Sequence, residues 1–237
     1  MVGEVVFKPT DKPDESNWVS DILDTFEDEN VCVPKPICAI NGKWVFNDWT
    51  AHHYIEGEHK YGIWPEKIKI YENFHKAISI IRRPAFLDHN NDPWAVADRM
   101  AWDEHPLPEN KISKNILYRL QKATKEINLP NQLIHGDIGE NILFHKKNKP
   151  IVIDFCPYWR PAYFATAVAV IDAIVWQNAQ VSVLDLFEEV DDFKQLLIRA
   201  LMRRICELDE ISKQYGKDHT NDIRKFISAT DIILEKI

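Results

Sequence analysis

The stretch QLIHGDIGENILFHKKNKPIVIDF, residues 132–155, sets His135, Asp137, Asn141 and Asp154 among short apolar runs at 132–134, 142–144 and 151–153. Asp137 can accept a proton from a hydroxyl nucleophile. Asn141 and Asp154 carry hard oxygen donors of the kind Mg²⁺ takes, usually two protein groups completed by phosphates and water. Phosphoryl transfer needs these parts: positioning, a base, and a metal that neutralises charge on the phosphates. A polar loop that only caps its own strands is the plain alternative for any one of these residues. H-G-D-x-x-x-N followed by I-D-F, in one strand–loop–strand setting, favours the chemistry.

The rest of the chain must position that segment. Residues 5–8 read as a short strand stopped by Pro9, and 14–26 as a helix with Trp18, Val19, Ile22, Leu23 and Phe26 on one stripe and Asp11 or Asp14 near its start. Residues 37–40 and 43–46 read as a hairpin joined at Asn41-Gly42. From Trp64 the period becomes helical: Ile68, Tyr71, His75, Ile78 and Ile81 share a stripe that Pro84 ends. Further helices are predicted over 93–105, 112–127, 162–177, 190–208 and 220–236. The expected division is a β-rich front, residues 1–57, and a helical back, residues 58–237, into which the polar segment is inserted.

Composition bounds the possibilities. The chain has 237 residues, 45% hydrophobic and 28% charged, which suits a globular protein with a real core. A net charge of −8 with no basic stripe argues against a nucleic-acid or anionic-membrane surface and suits a cationic small-molecule partner. The four cysteines, Cys32, Cys38, Cys156 and Cys206, show no metal or disulfide spacing and read as reduced core thiols. No leader peptide and no run of membrane length is visible, so the expected location is cytoplasmic.

HGDIGENILF together with IVIDF resembles the catalytic loop and metal-binding segment of the aminoglycoside phosphotransferase and choline kinase family, relatives of the protein kinases. PYWRPAYFATAVAVIDAIVW adds a likeness to bacterial members of that group. EVVFKP resembles the strand that carries the phosphate-binding lysine, here Lys8. KWVFNDWTAHHYIEGE resembles the last front-lobe strands and the hinge at the adenine, where Glu56 lies.

The resemblance implies an α+β, two-lobed protein-kinase-like fold: a small β-rich N-lobe without the first two strands, and a larger, mainly helical C-lobe. It implies ATP- and Mg²⁺-dependent phosphorylation of a small molecule's hydroxyl. By position, Asp137 would be the catalytic base and His135 would buttress its loop. Asn141 and Asp154 would hold Mg²⁺, and Lys8 would touch the α- and β-phosphates. Lys8 needs an acidic partner from the following helix. Asp14, Glu15 and Asp21 are candidates, with Glu15 preferred because it lies early and leaves Trp18 and Ile22 to pack.

Two departures shape the expectation. Kinase-like loops place four residues between aspartate and asparagine; here there are three, Ile138, Gly139 and Glu140. A positive φ at Gly139 would tighten the turn and keep Asn141 in reach, with Glu140 as the alternative ligand. Relatives also carry two strands and a glycine-rich turn ahead of the lysine strand. Here that strand opens the sequence, and none of the seven glycines falls in G-x-G-x-x-G. This motivates a rival reading, a catalytically weak or inactive kinase-like protein that binds a nucleotide or small ligand. An exposed strand edge at the front would offer a route to an oligomer. A metal-dependent hydrolase using Asp137 and Asp154 ranks last, since no histidine cluster stands behind it.

Other polar residues sit in apolar company. Asp172, within AVAVIDAIVW, needs a partner if buried. Two are available: the backbone of the 135–141 loop, which it would hold rigid as a helix acid does in kinase-like folds, or Arg160. Arg160 itself could face a phosphate or substrate carboxylate, or stack on Tyr158 or Trp159. Trp94, Trp102 and Trp176 are expected in the core by their helical spacing. The acidic run 188–192 reads as a solvated helix start or a rim for an amine-bearing substrate.

Overall fold

In a computed structural model the chain is described over residues 4–236. It falls into two compact units, one of residues up to 86 with Gln132–Ala162, the other of Leu87–Asn131 with residues 163–236. The sequence placed its boundary after Gly57, where the pattern turns from strand to helix. Backbone contacts instead group residues 58–86 and the polar segment with the front strands.

The first unit holds an antiparallel sheet of β1 (Val5–Pro9), β3 (Trp49–His53) and β2 (Val45–Phe46), in the order β1-β3-β2. Pro9 belongs to β1 because that strand lies at the edge of the sheet, where a missing N–H breaks no ladder. Register pairs Lys8 with Thr50 and Val6 with His52, so these four share one face. The hairpin is not where Asn41-Gly42 placed it. Gly42 does turn the chain at φ 74°, with its amide bonded to the Ala39 carbonyl at 3.0 Å, but residues 37–40 form no strand of the sheet. The two-residue hairpin turn is Asn47-Asp48, at φ 49° and 61°. Asn and Asp reach the left-handed region without glycine, and two such residues in a row match the twist of the flanking strands.

Helix α1 (Pro13–Thr25) has Pro in its first turn and no side-chain N-cap. Lys35 closes its other end by donating to the carbonyls of Leu23, Asp24 and Phe26 at 3.0, 2.7 and 2.8 Å, four orphan acceptors being what a helix C-terminus offers a cation. Helix α2 (Trp64–Ile78) follows the predicted stripe and buries Tyr71, Phe74, His75 and Ile78. The polar segment supplies β4 (Gln132–His135), β5 (Ile142–Leu143) and β6 (Ile151–Val152), and β7 (Pro157–Arg160) follows it. β4 pairs with β7 and β5 with β6, both antiparallel. Phe74, fully buried, is the hub: its ring lies 5.5 Å from Phe26, 5.6 Å from Phe155 and 6.2 Å from His135. This cluster anchors both flanks of the polar loop to α2.

The second unit is helical: α3 (Pro93–Ala101), α4 (Lys114–Ala123), α5 (Ala162–Trp176), α6 (Phe193–Tyr215) and α7 (Thr220–Lys236), with a 3-10 helix over Val181–Phe187 before α6. Asp92 caps α3 by accepting from the Ala95 amide at 2.7 Å. Gly216, at φ 66°, ends α6. Trp94 and Trp176, expected in the core, are 41% and 44% exposed. Among the described residues no helix is long and apolar enough to cross a membrane.

Candidate active site

The site forms around one imidazole. His135, at the end of β4, is fully buried. Its Nδ1 accepts the amide of Asp137 at 3.2 Å, and its Nε2 faces the carbonyl of Ile153 at 3.0 Å. An N–H on one side and a C=O on the other assign the neutral tautomer with the proton on Nε2. Asp137 and Asp154 are thus each fixed at their backbone by the same ring, one through its own amide and the other through the preceding carbonyl.

The loop between them closes on itself. The Asn141 amide bonds the Ile138 carbonyl at 3.2 Å, and Nδ2 of Asn141 donates to the Asp137 carbonyl at 2.6 Å. The Asn141 carbonyl in turn accepts the Ile153 amide at 3.0 Å. Gly139 is not among the glycines at positive φ, which among the described residues are Gly42, Gly62 and Gly216. The positive φ falls on Asp154, at 52°. Short polar residues tolerate that region, and strained backbone of this kind gathers at functional sites. Gly136 has a different purpose: a Cβ there would stand 2.1 Å from Cδ2 of Tyr158. Its amide bonds the Cys156 carbonyl at 2.9 Å, extending the β4–β7 pairing into the loop.

Lys8 forms an ion pair with Asp154, 146 positions away in sequence. Asp154 therefore takes the place expected of Glu15. Glu15 lies in the first turn of α1, where its charge complements the helix end, and its carboxylate is 3.8 Å from Lys12 Nζ. Burial lowers the pKa of the Lys8 ammonium, and Cys156 opposes that shift. On the same sheet face, His52 is held down to about 4 by burial and then by Lys8, and its buried Nδ1 has no hydrogen-bond partner among the described residues. Glu56 is exposed, 3.9 Å from His145 Nε2. The backbone near it is pinned where Glu58 and Phe144 exchange amide bonds at 2.9 and 2.8 Å.

His75 is the residue the sequence did not single out. Its Nε2 accepts the amide of His135 at 3.1 Å, and burial pushes its pKa down to about 3, with neighbouring His135 acting in the same direction. Its apolar stripe made it look like a core position. The detectable signal was a histidine aligned with Tyr71 on a helix that must pack near a histidine loop.

Asp172 and Arg160 lie in different units. The Asp172 carboxylate is gripped by Nε of Arg204 at 2.9 Å and by its Nη2, and Arg204 Nη1 reaches Glu207 at 2.6 Å. Arg203 adds a bond from Nε to Glu207 at 2.7 Å. The grip on Asp172 comes from α6, an element the sequence reading did not consider. Arg160 is buried at the end of β7, opposite Gln132.

No protein-family model matches the chain, and no curated protein matches it. Solved structures do. A spectinomycin phosphotransferase in complex with ADP and spectinomycin aligns at TM-score 0.55 with 15% identity, covering 94% of this chain and 80% of its own. A choline kinase from Streptococcus pneumoniae aligns at 0.58 with 12% identity, over 98% and 86%. An amicoumacin kinase in complex with AMP-PNP and Ca²⁺ aligns at 0.60 with 9% identity, over 94% and 78%. The chain has a protein-kinase-like fold, and its structural neighbours are aminoglycoside phosphotransferases and choline kinases.

Proposed function

We propose that the protein is an ATP- and Mg²⁺-dependent phosphotransferase acting on a hydroxyl of a small molecule. One observation carries this reading: the His135 ring bonds both the Asp137 amide and the carbonyl before Asp154. A loop that only capped its strands would have no need to reference two carboxylates to one buried ring. The nucleotides held by the spectinomycin phosphotransferase and the amicoumacin kinase support a nucleotide site in a chain of the same fold.

Asp137, exposed on the loop, would accept the proton of the acceptor hydroxyl. Lys8 would exchange its contact with Asp154 for the nucleotide's phosphates. The donor set fits Mg²⁺: Asp154 offers a carboxylate, and Asn141 keeps Oδ1 available because only its Nδ2 is bonded within the loop. Among the described residues no three His, Cys, Asp or Glu side chains cluster as a metal site, so phosphates and water would have to complete the shell. When bound, the metal would neutralise charge on the transferred group. A net charge of −8 supports an acceptor that carries positive charge.

The test is calorimetric titration with ATP, with and without Mg²⁺, on the parent, Asp154→Ala and Asp137→Ala. Binding that depends on Mg²⁺ and is lost in Asp154→Ala is expected. Asp137→Ala should bind nucleotide as the parent does and fail to phosphorylate any alcohol the parent accepts. No nucleotide binding by the parent, or a parent-like rate in Asp137→Ala, would overturn the reading. Nucleotide binding without transfer to any of a panel of alcohols and amino alcohols would support the weakly active binder instead.

A further inference from the structure

Helix α2 aims a line of polar side chains at the loop. Lys67, Tyr71 and His75 are four residues apart, so they lie on one face, and all three are buried. His75 takes the amide at the start of the loop. Near its end, Tyr71 Oη and Lys67 Nζ both donate to the Gly139 carbonyl, at 3.4 and 3.5 Å. Lys67 is only 3% exposed, and among the described residues that carbonyl is its one hydrogen-bond acceptor. The rings of Trp64 and Tyr61 stand 5.6 and 5.8 Å from Nζ. Burying an ammonium with so little hydrogen bonding is costly, and a methionine would fill the same space more cheaply. Burial lowers the pKa of Lys67, and the carboxylate of Glu140 opposes that shift.

We infer that Lys67 is a positioning residue: it anchors the loop at Gly139, so that Asn141 is the donor presented beside Asp154. The loop between Asp137 and Asn141 is one residue shorter than in kinase-like relatives, and Glu140 is the carboxylate next to Asn141 in sequence. With the Gly139 carbonyl held toward α2, the Asn141 amide reaches Ile138 and its Nδ2 reaches Asp137, leaving Oδ1 outward. The anchor is a statement about loop order; its consequence for the metal rests on the phosphotransferase reading.

Two measurements on Lys67→Met separate these. Amide hydrogen exchange in the nucleotide-free protein should quicken about tenfold at residues 139–141, the effect of losing one hydrogen bond to the loop. The Mg²⁺ concentration that gives half-maximal ATP binding should rise by about the same factor. Tyr71→Phe, which removes a neutral donor from the same carbonyl, should quicken exchange and leave the Mg²⁺ requirement within about twofold of the parent. Lys67→Gln keeps a donor without the charge and serves as the second variant, with the Mg²⁺ requirement again raised. Parent-like exchange in both Lys67 variants would overturn the anchor. Faster exchange with an unchanged Mg²⁺ requirement would reduce Lys67 to a packing residue and overturn the positioning role. If the parent binds no nucleotide, the phosphotransferase reading fails, and the exchange result alone decides the anchor.

Discussion

His135 and Ile153 are joined by a hydrogen bond of 3.0 Å from imidazole Nε2 to backbone carbonyl, and the same ring takes the amide of Asp137 on its other nitrogen. The ring also packs edge-on against Phe74 and Phe155. His135→Ala therefore removes two buried hydrogen bonds and leaves a cavity at the aromatic hub. The expected cost is about 3 kcal/mol in denaturant unfolding, together with loss of Mg²⁺-dependent nucleotide binding. A variant with parent-like stability would show that the ring does not tie the two segments.

His75 makes stability depend on pH. Its folded pKa, about 3, lies below the ordinary value of 6.5. Above pH 6.5 the imidazole is neutral in both states, and its contribution is fully present. Between 6.5 and 3 the unfolded chain binds a proton that the folded protein refuses, so stability falls as pH falls, by up to about 1.4 kcal/mol per unit. His52, held at about 4, acts with the same sign. In His75→Gln the titration is gone while an acceptor for the His135 amide remains. The variant's disadvantage should therefore shrink steadily from pH 7 to 4 in urea titrations; a constant gap would mean that His75 already titrates normally in the folded state.

α1, α2 and α7 were legible because their burial is one-sided, and α5 because it is a nearly unbroken apolar run buried on every side over 164–171. α1, α2, α5 and α7 begin within a few residues of where the apolar stripes put them, and three helix starts are marked by proline. The hairpin was not legible. Asn41-Gly42 carries the stronger local signal and does turn the chain, yet pairing is decided by which residues can cover the sheet face, and that selects Asn47-Asp48. In the polar segment, side-chain types suggested the chemistry proposed here, but partners came from elements far away in sequence. Lys8 meets Asp154 rather than Glu15, and Arg204 holds Asp172. No local pattern encodes a pairing across 146 residues.

The Lys8–Asp154 pair should matter for ligand and little for stability. Its side chains are 40% and 51% exposed, and exposed pairs contribute at most about 1 kcal/mol. Lys8→Met should unfold within about 1 kcal/mol of the parent and bind ATP more weakly both with and without Mg²⁺. Asp154→Asn keeps a residue that tolerates φ 52° and should lose only the Mg²⁺-dependent part. Asp154→Ala should be about 1 kcal/mol less stable than Asp154→Asn, because a Cβ without a short polar side chain pays for the left-handed backbone. Equal stabilities of the two Asp154 variants would show that the backbone there relaxes.

Gly136 and Tyr158 give the sharpest test of the loop's placement. A Cβ on Gly136 would lie 2.1 Å from Cδ2, 2.4 Å from Cε2 and 2.9 Å from Cγ of the tyrosine ring, all closer than carbon atoms approach. The ring is half-buried on β7, the partner strand of β4, so it can yield only by leaving its rotamer or by parting the two strands. Gly136→Ala is expected to cost about 1–3 kcal/mol, as overpacking does. It should also move the backbone of Asp137, and with it the proposed base. Tyr158→Ala alone is destabilising through lost packing, but it removes the obstacle. The double variant should therefore be more stable than the sum of the two single changes by about 1 kcal/mol or more, within the range of coupled neighbours. It should recover the nucleotide-dependent turnover that Gly136→Ala loses. Strict additivity would place the ring elsewhere in solution, and the need for glycine between His135 and Asp137 would then require another cause.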